Sequence, residues 1–209
     1  MITIHHLNNS RSQRILWLCE ELGLDYDIKF YQRLETQLAP PELKAIHPLG
    51  KSPVLDDDDL RLAESGAIVD YLIRVHGHGA LAPTPGTILH EIYLEWLHYA
   101  EGSAMLPPML ALYTSRLGDA AAPLAPRLGE QLTSHLDYFD AQLGDNDWLV
   151  GNSLSGADVM MSFVAEIAVA RGPITHYPRI RAFVRRLQSR PAWRRALERG
   201  GAYSFTLPA

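Results

Sequence analysis

HPLGKSPVLDDDDLRLAES, residues 47–65, decides how the first part of this chain is read. It holds two short apolar runs, SPVLDD and LRLAE, on either side of the acidic turn Asp56–Asp59. The connection is too short for a crossover, so the two runs pair as an antiparallel hairpin. Pro53 stands at the mouth of the first run, where it cannot donate a ladder hydrogen bond, and sheets tolerate proline at a strand's first residue. Beyond the second run, Ser65 opens a helix with Ile68, Val69, Leu72 and Val75 on one face.

Upstream, MITIHHL reads as a strand ended by the turn-formers Asn8, Asn9 and Ser10. Ile15, Leu18, Cys19 and Leu22 recur at helical spacing, and Gly23 stops that helix. Tyr26–Tyr31 is a second strand, parallel to the first because a helix crosses between them. A short helix over Pro41–Ile46 follows. The order is βαβ, a short helix, then ββα, which predicts a mixed four-stranded sheet.

Downstream, the Gly- and Pro-rich stretch His76–Gly86 is the clearest linker. It divides the chain into a first domain at 1–78, a linker at 79–86 and a second domain at 87–209. The second domain reads as all-helical, with helices near 87–116, 124–143, 155–171, 178–189 and 191–199. Pro107-Pro108 must break or kink the first of these. LSGADV opens the third: Ser155 caps, Asp158 reaches back, and Leu154 staples to Val159.

Composition narrows the function classes. Apolar residues make up 47% of the chain, charged residues 21%, and the net charge is −5 with no basic stripe, so nucleic acid is not an expected partner. No apolar run reaches membrane-spanning length, since Asp158 and Glu166 interrupt the best one. The N-terminus lacks the basic flank and apolar core of a signal peptide. A single cysteine, Cys19, forbids an internal disulfide framework and fits a reducing compartment. These features predict a soluble cytoplasmic protein. Metals are not expected: HEIYLEWLH (His90–His98) is not H-E-x-x-H, and His76 and His78 lie in a glycine turn. The run Asp56–Asp59 lacks the glycine and distal glutamate of a calcium loop and reads as a solvated hairpin tip. Neither a G-x-G-x-x-G nor a P-loop is present.

Six segments, NSRSQRILWLCEELGL, HPLGKSPVL, AESGAIVDYL, the linker, LSGADVMM and RPAWRRAL, stand in an order that resembles the cytosolic glutathione S-transferase family over essentially the whole chain. The first segment is most similar to the bacterial and fungal branch related to yeast glutathione transferase one. The resemblance implies a thioredoxin-like α/β N-terminal domain followed by an all-α domain. It also implies a cytoplasmic homodimer that takes glutathione as co-substrate, uses no metal, and conjugates the thiol to small apolar electrophiles in detoxification. Reduction of organic hydroperoxides by the same thiolate is a further expectation. A non-catalytic relative serving protein interaction or regulation is the alternative, since fold alone does not exclude it.

Residue by residue, the resemblance implies a cis peptide before Pro53 that turns the Ser52 backbone toward the cysteinyl part of glutathione, pairing as a short strand would. It implies Ser65 on the γ-glutamyl carboxylate with Glu64 facing the amine, and Lys51 on the glycine carboxylate. Without the resemblance, Ser65 is a helix cap and Lys51 a solvated lysine. Ser10, four before Arg14, matches the activating serine of the S-x-P-x-R pattern, but Ser12 replaces its proline. Asn9 and Ser12 are therefore alternative thiol donors, and Ser10 or Ser12 is alternatively only an N-cap. Cys19 reads as an inert core residue. The electrophile pocket is expected from Tyr99, Ser103, Leu106, Met109 and Tyr113 at helical spacing, a stripe equally readable as core. The C-terminal Tyr203–Phe205 is expected to fold over it, and a partner's Glu101 to complete the γ-glutamyl site.

Overall fold

The computed structural model describes residues 1–171 and 176–207. Strands β1 (Ile2–Leu7), β2 (Tyr26–Tyr31), β3 (Val54–Asp57) and β4 (Leu60–Ala63) form one mixed sheet in the order β2-β1-β3-β4. β1 runs parallel to β2, with Ile2 opposite Tyr26, and antiparallel to β3, with His5 opposite Val54. β3 and β4 form the predicted hairpin, with Asp57 opposite Leu60. Its tip, Asp58 and Asp59, is exposed as expected, whereas within β3 Asp56 accepts from Arg61 Nε at 2.6 Å and Asp57 from Tyr71 and His76. The Arg61 hydrogen bonds hold the Asp56 carboxyl down at about 2.

Helix α1 (Ser12–Leu22) lies on the sheet and is buried around nearly its whole circumference rather than along one stripe. Ile15, Leu16, Trp17, Leu18 and Cys19 are all inaccessible, because α3 (Ser65–Tyr71), α7 (Gly156–Arg171) and α9 (Pro191–Gly200) pack against it as well as the sheet. Gly23 closes it in the left-handed region, φ 64°, with its N–H on the Cys19 carbonyl. Burial pushes the Cys19 thiol pKa far up, as an inert packing cysteine requires. A short helix α2 (Glu42–Ile46) precedes β3.

α3 continues through a wide turn at Leu72–His76. The extra residue in that turn rotates the later positions, so Ile73 is buried and Val75, expected on the core face, is 39% exposed. The linker is tied to the helical domain by the Gly156 N–H, which donates to the Leu81 carbonyl at 2.8 Å. Gly156 has no room for a side chain: a Cβ there would lie 2.7 Å from both Ile73 and Tyr93.

The helical domain begins with α4 (Ile88–Tyr99), capped by the Thr87 hydroxyl. The helix expected over 87–116 is interrupted by a wide turn at Ala100–Ala104, where the Met105 N–H reaches back to the Ala100 carbonyl. α5 (Leu106–Thr114) then restarts with Pro107 and Pro108 in its first turn, the position that spares them an N–H. A 3₁₀ stretch, Ser115–Leu124, leads into α6 (Ala125–Leu143); α7, α8 (Pro178–Ser189) and α9 complete the domain. Asp158 reaches back as expected, accepting from the Ser155 N–H and the Leu149 N–H, each at 2.9 Å. The Ser155 hydroxyl donates to that same carboxylate, so it braces Asp158 instead of capping a helix N–H. One continuous apolar cluster joins the two domains. Among the described residues no helix is long and apolar enough to cross a membrane.

Candidate active site

A cleft of about 320 Å³ opens between the β3–α3 edge of the sheet domain and α5. Its sheet-domain wall carries Lys51, Ser52, Pro53, Glu64 and Ser65, all five of the residues expected to hold the peptide. Met109 and Tyr113 face them from α5. The Ser52–Pro53 peptide is cis. The Ser52 hydroxyl donates to the His5 carbonyl at 2.7 Å and accepts from the Leu7 N–H, which pins the loop to β1. The Ser52 N–H and C=O make no hydrogen bond among the described residues, so they remain available to an extended ligand.

Ser65 is 4% exposed, and its oxygen accepts from Arg14 Nη2. Arg14 is buried; Nη2 also donates to Glu101 Oε1 at 2.5 Å and Nη1 to the Met160 carbonyl at 2.6 Å, while Nε has no partner among the described residues. Burial depresses the Arg14 pKa while the Glu101 carboxylate opposes that shift. Arg11 Nε donates to both Glu101 oxygens, at 2.9 and 2.8 Å. With its lone pair engaged by Arg14, the Ser65 hydroxyl has its proton free to donate to an anion. Glu64, beside it, is exposed and sits at φ 69°, a left-handed conformation rare outside glycine and common at functional sites.

Arg11, His47 and Glu101 line the cleft without having been singled out as this chain's own site residues. Glu101 was expected from a partner; here it lies in its own chain's cleft, bridging the domains through Arg11 and Arg14. The signal was faint, because a glutamate in AEGSA shows its partners only once the wide turn at Ala100–Ala104 meets Arg11 and Arg14.

The thiol-donor candidates divide. Ser10 is 5% exposed, and its hydroxyl is bonded to the Ser12 hydroxyl at 2.8 Å. Ser12 in turn bonds His6 Nδ1 at 2.8 Å, and His6 Nε2 donates to the Gly200 carbonyl at 3.1 Å. Because a carbonyl only accepts, the ring proton is on Nε2, and Nδ1 must accept from Ser12. Burial lowers the His6 pKa to about 4, keeping the ring neutral. Directionality then turns the Ser10 proton inward, toward Ser12. Asn9, half-buried at φ 51°, accepts from the Ser204 N–H through Oδ1 at 2.7 Å. A backbone N–H needs an oxygen, so that bond fixes the amide's orientation and leaves Nδ2 as a donor without a partner among the described residues.

Of the expected α4–α5 stripe, Met109 and Tyr113 line the cleft and Tyr99, Ser103 and Leu106 do not. Tyr99 bonds His135 Nδ1 at 2.7 Å and packs edge-on against Trp96 and Tyr138. Ser103 is half-buried and is not among the cleft-lining residues, and Leu106 is 55% exposed. The wide turn at Ala100–Ala104 inserts one residue, which rotates the later positions by about 100° relative to an unbroken helix. The tail packs on α7: Phe205 meets Phe163 edge-on, and the Tyr203 hydroxyl donates to Glu166 at 2.5 Å. It reaches Asn9 but gives no side chain to the cleft lining. No group of three or more potential metal ligands occurs among the described residues.

A thioredoxin-like sheet with a cis-proline cleft, closed by a helical domain, is the architecture of the glutathione-dependent transferases. Sequence comparison agrees: residues 1–74 match the family model for the glutathione S-transferase N-terminal domain, and residues 100–191 match that for the C-terminal domain. The chain belongs to the glutathione S-transferase family. It is 34% identical to glutathione S-transferase 3 of Schizosaccharomyces pombe, over 99% of this chain and 91% of that one. It is 31% identical to glutathione S-transferase 1 of Saccharomyces cerevisiae, over 97% and 96%. The crystal structure of a glutathione S-transferase from Actinobacillus pleuropneumoniae superposes with a TM-score of 0.89 at 38% identity, covering 96% of this chain and 93% of that one.

Proposed function

We propose that this glutathione transferase binds the tripeptide extended along the β3–α3 edge and presents its thiolate, at the front of α1, to a small apolar electrophile. Ser65, its proton freed by the Arg14 bond, takes the γ-glutamyl carboxylate, and Glu64 takes the amine. Ser52 pairs with the cysteinyl backbone, and Lys51, with His47 nearby, takes the glycine carboxylate. The electrophile enters from the α5 side, against Met109 and Tyr113. The arrangement that carries this reading is the convergence of Lys51, the unpaired Ser52 backbone and the Arg14-braced Ser65 in one cleft.

A free thiol of this kind has a pKa of about 8.5, and lowering it by about two units requires roughly 2.7 kcal/mol. One hydrogen bond to the charged sulfur contributes about 1.5–3 kcal/mol, so a single well-aimed donor supplies most of what is needed. Asn9 Nδ2 is the first choice for that donor, since Ser10 must break its bond to Ser12 to reach sulfur. The thiol proton leaves to solvent, and the thiolate displaces a halide or adds to an activated double bond. Attack of the same thiolate on the O–O bond of an organic hydroperoxide is the accompanying activity. The enzyme works in the cytoplasm as a homodimer.

Calorimetry with glutathione, followed by turnover of chlorodinitrobenzene, tests the reading. Micromolar-to-millimolar binding with saturable conjugation is expected. Absence of any glutathione heat would overturn it.

A further inference from the structure

We infer that Arg61, which is not among the cleft-lining residues, positions loop 47–51 and thereby sets a preference for a charged glycine end on the peptide. This rests on the glycine-end assignment of the proposed function. One polar side chain from each strand, in sheet order, forms a chain across the sheet. Tyr31 of β2 bonds His5 Nδ1 of β1 at 2.9 Å, and His5 Nε2 bonds Asp56 Oδ2 of β3 at 3.0 Å. Asp56 is gripped by Arg61, its direct register partner on β4, through Nε at 2.6 Å and Nη2 at 2.8 Å. A carboxylate only accepts, so the proton of the neutral His5 ring is on Nε2 and Nδ1 accepts from the Tyr31 hydroxyl. With Nε and Nη2 committed to Asp56, the planar guanidinium has a fixed orientation. Its Nη1 then donates to the Ile46 carbonyl at 3.1 Å. That carbonyl ends α2, where backbone acceptors lack an intrahelical partner.

α2 has little else to fix it. Of its five residues only Leu43 is buried, and a helix so short is not stable by itself. The loop that follows moves with α2, because Gly50 is buried beside the Lys44 side chain and its N–H donates to the His47 carbonyl at 2.8 Å. At the far end the Ser52 hydroxyl donates to the His5 carbonyl at 2.7 Å, which ties that end to β1. Arg61 supplies the matching anchor at the near end. His5 thus serves both ends, with its ring on Asp56 and its carbonyl on Ser52. Between the two anchors His47, Leu49 and Lys51 line the cleft. Lys51 is exposed and has a long, flexible stem, so the place of its backbone decides how often its ammonium meets a carboxylate.

The test is calorimetry on the full chain with glutathione and with its glycinamide analogue, whose glycine end is neutral. Wild type should prefer glutathione by about fivefold, the size of one exposed ion pair. Arg61→Met should bring that preference below about twofold by weakening glutathione, with affinity for the amide unchanged. Turnover should divide in the same way: KM for glutathione rises by about fivefold, while kcat at saturation and the thiol pKa of the bound peptide stay as in wild type. Asp56→Asn separates positioning from loss of positive charge. It removes a negative charge and puts an NH2 group against the donors on Arg61 and His5. Charge alone would tighten glutathione in that variant, whereas positioning weakens it by about threefold. A preference retained in Arg61→Met, equal losses for acid and amide, or tighter glutathione in Asp56→Asn would overturn the inference and leave the cleft assignment standing. No preference in wild type would remove the glycine-end assignment, and the inference with it.

Discussion

Replacing Ser65 by alanine isolates the contact on which the proposed glutathione recognition rests. In the folded protein the Ser65 oxygen accepts from Arg14 Nη2, so its proton is committed to whatever anion enters. The residue is 4% exposed, so solvent does little to weaken that bond. A hydrogen bond to a charged partner contributes about 1.5–3 kcal/mol. That corresponds to a loss of about 10- to 150-fold in Kd, with the burial favouring the upper part. Fold stability should change by only about 1 kcal/mol or less, since Arg14 keeps Glu101 and the Met160 carbonyl. Calorimetry on wild type and Ser65→Ala, with glutathione and with an analogue lacking the γ-glutamyl carboxylate, forms a double cycle. The variant should lose affinity for glutathione and almost none for the analogue. Equal losses for both ligands, or none for either, would refute the assigned role.

Three other outcomes are expected. Asn9→Ala should raise the pKa of bound glutathione's thiol by about one unit or more, and Ser10→Ala by less than half of that, read from thiolate absorbance; the reverse order would make Ser10 the donor. Asp158→Ala strands the Ser155 and Leu149 N–H groups inside the protein and should cost about 3 kcal/mol in urea unfolding, with under about 1 kcal/mol contradicting the bracing role. Burial pushes Glu166 up to about 7, so between its ordinary value and 7 the folded state holds a proton that the unfolded chain has released. Stability therefore falls as pH rises through that window. Glu166→Gln should flatten the slope by up to about 1.4 kcal/mol per pH unit, the remainder coming from Asp158, pushed up to about 6 by burial. Parallel slopes for variant and wild type would remove Glu166 from the titration.

Local chemistry made much of the site legible. Pro53, Glu64 and Ser65 lie within a single hairpin and the helix after it, so their spacing in sequence is nearly their spacing in space. The α4–α5 stripe reaches the cleft only in its second half, for a defined reason. Periodicity assumes a uniform turn, and the wide turn at Ala100–Ala104 sends Tyr99 toward His135 while Met109 and Tyr113 reach the cleft. The same kind of turn exposed Val75. No residue in either segment announces it, since a wide turn is stabilised by its packing rather than by a signature side chain.

By itself the sequence determined a mixed four-stranded sheet with a parallel first pair and a terminal hairpin, the Asp158 brace and the stretch that lines the cleft. These are short-range matters of periodicity, turn length and capping. Only the tertiary structure decided which way each hydroxyl points. Ser10 turns inward because Ser12 must satisfy His6, and His6 must satisfy Gly200, a carbonyl 194 residues further along the chain. Arg14 meets Ser65 across α1 and α3, and Glu101 joins them only when the helical domain packs against the sheet domain. A buried polar group takes the partners that the folded core offers, and those come from distant segments that no local pattern encodes.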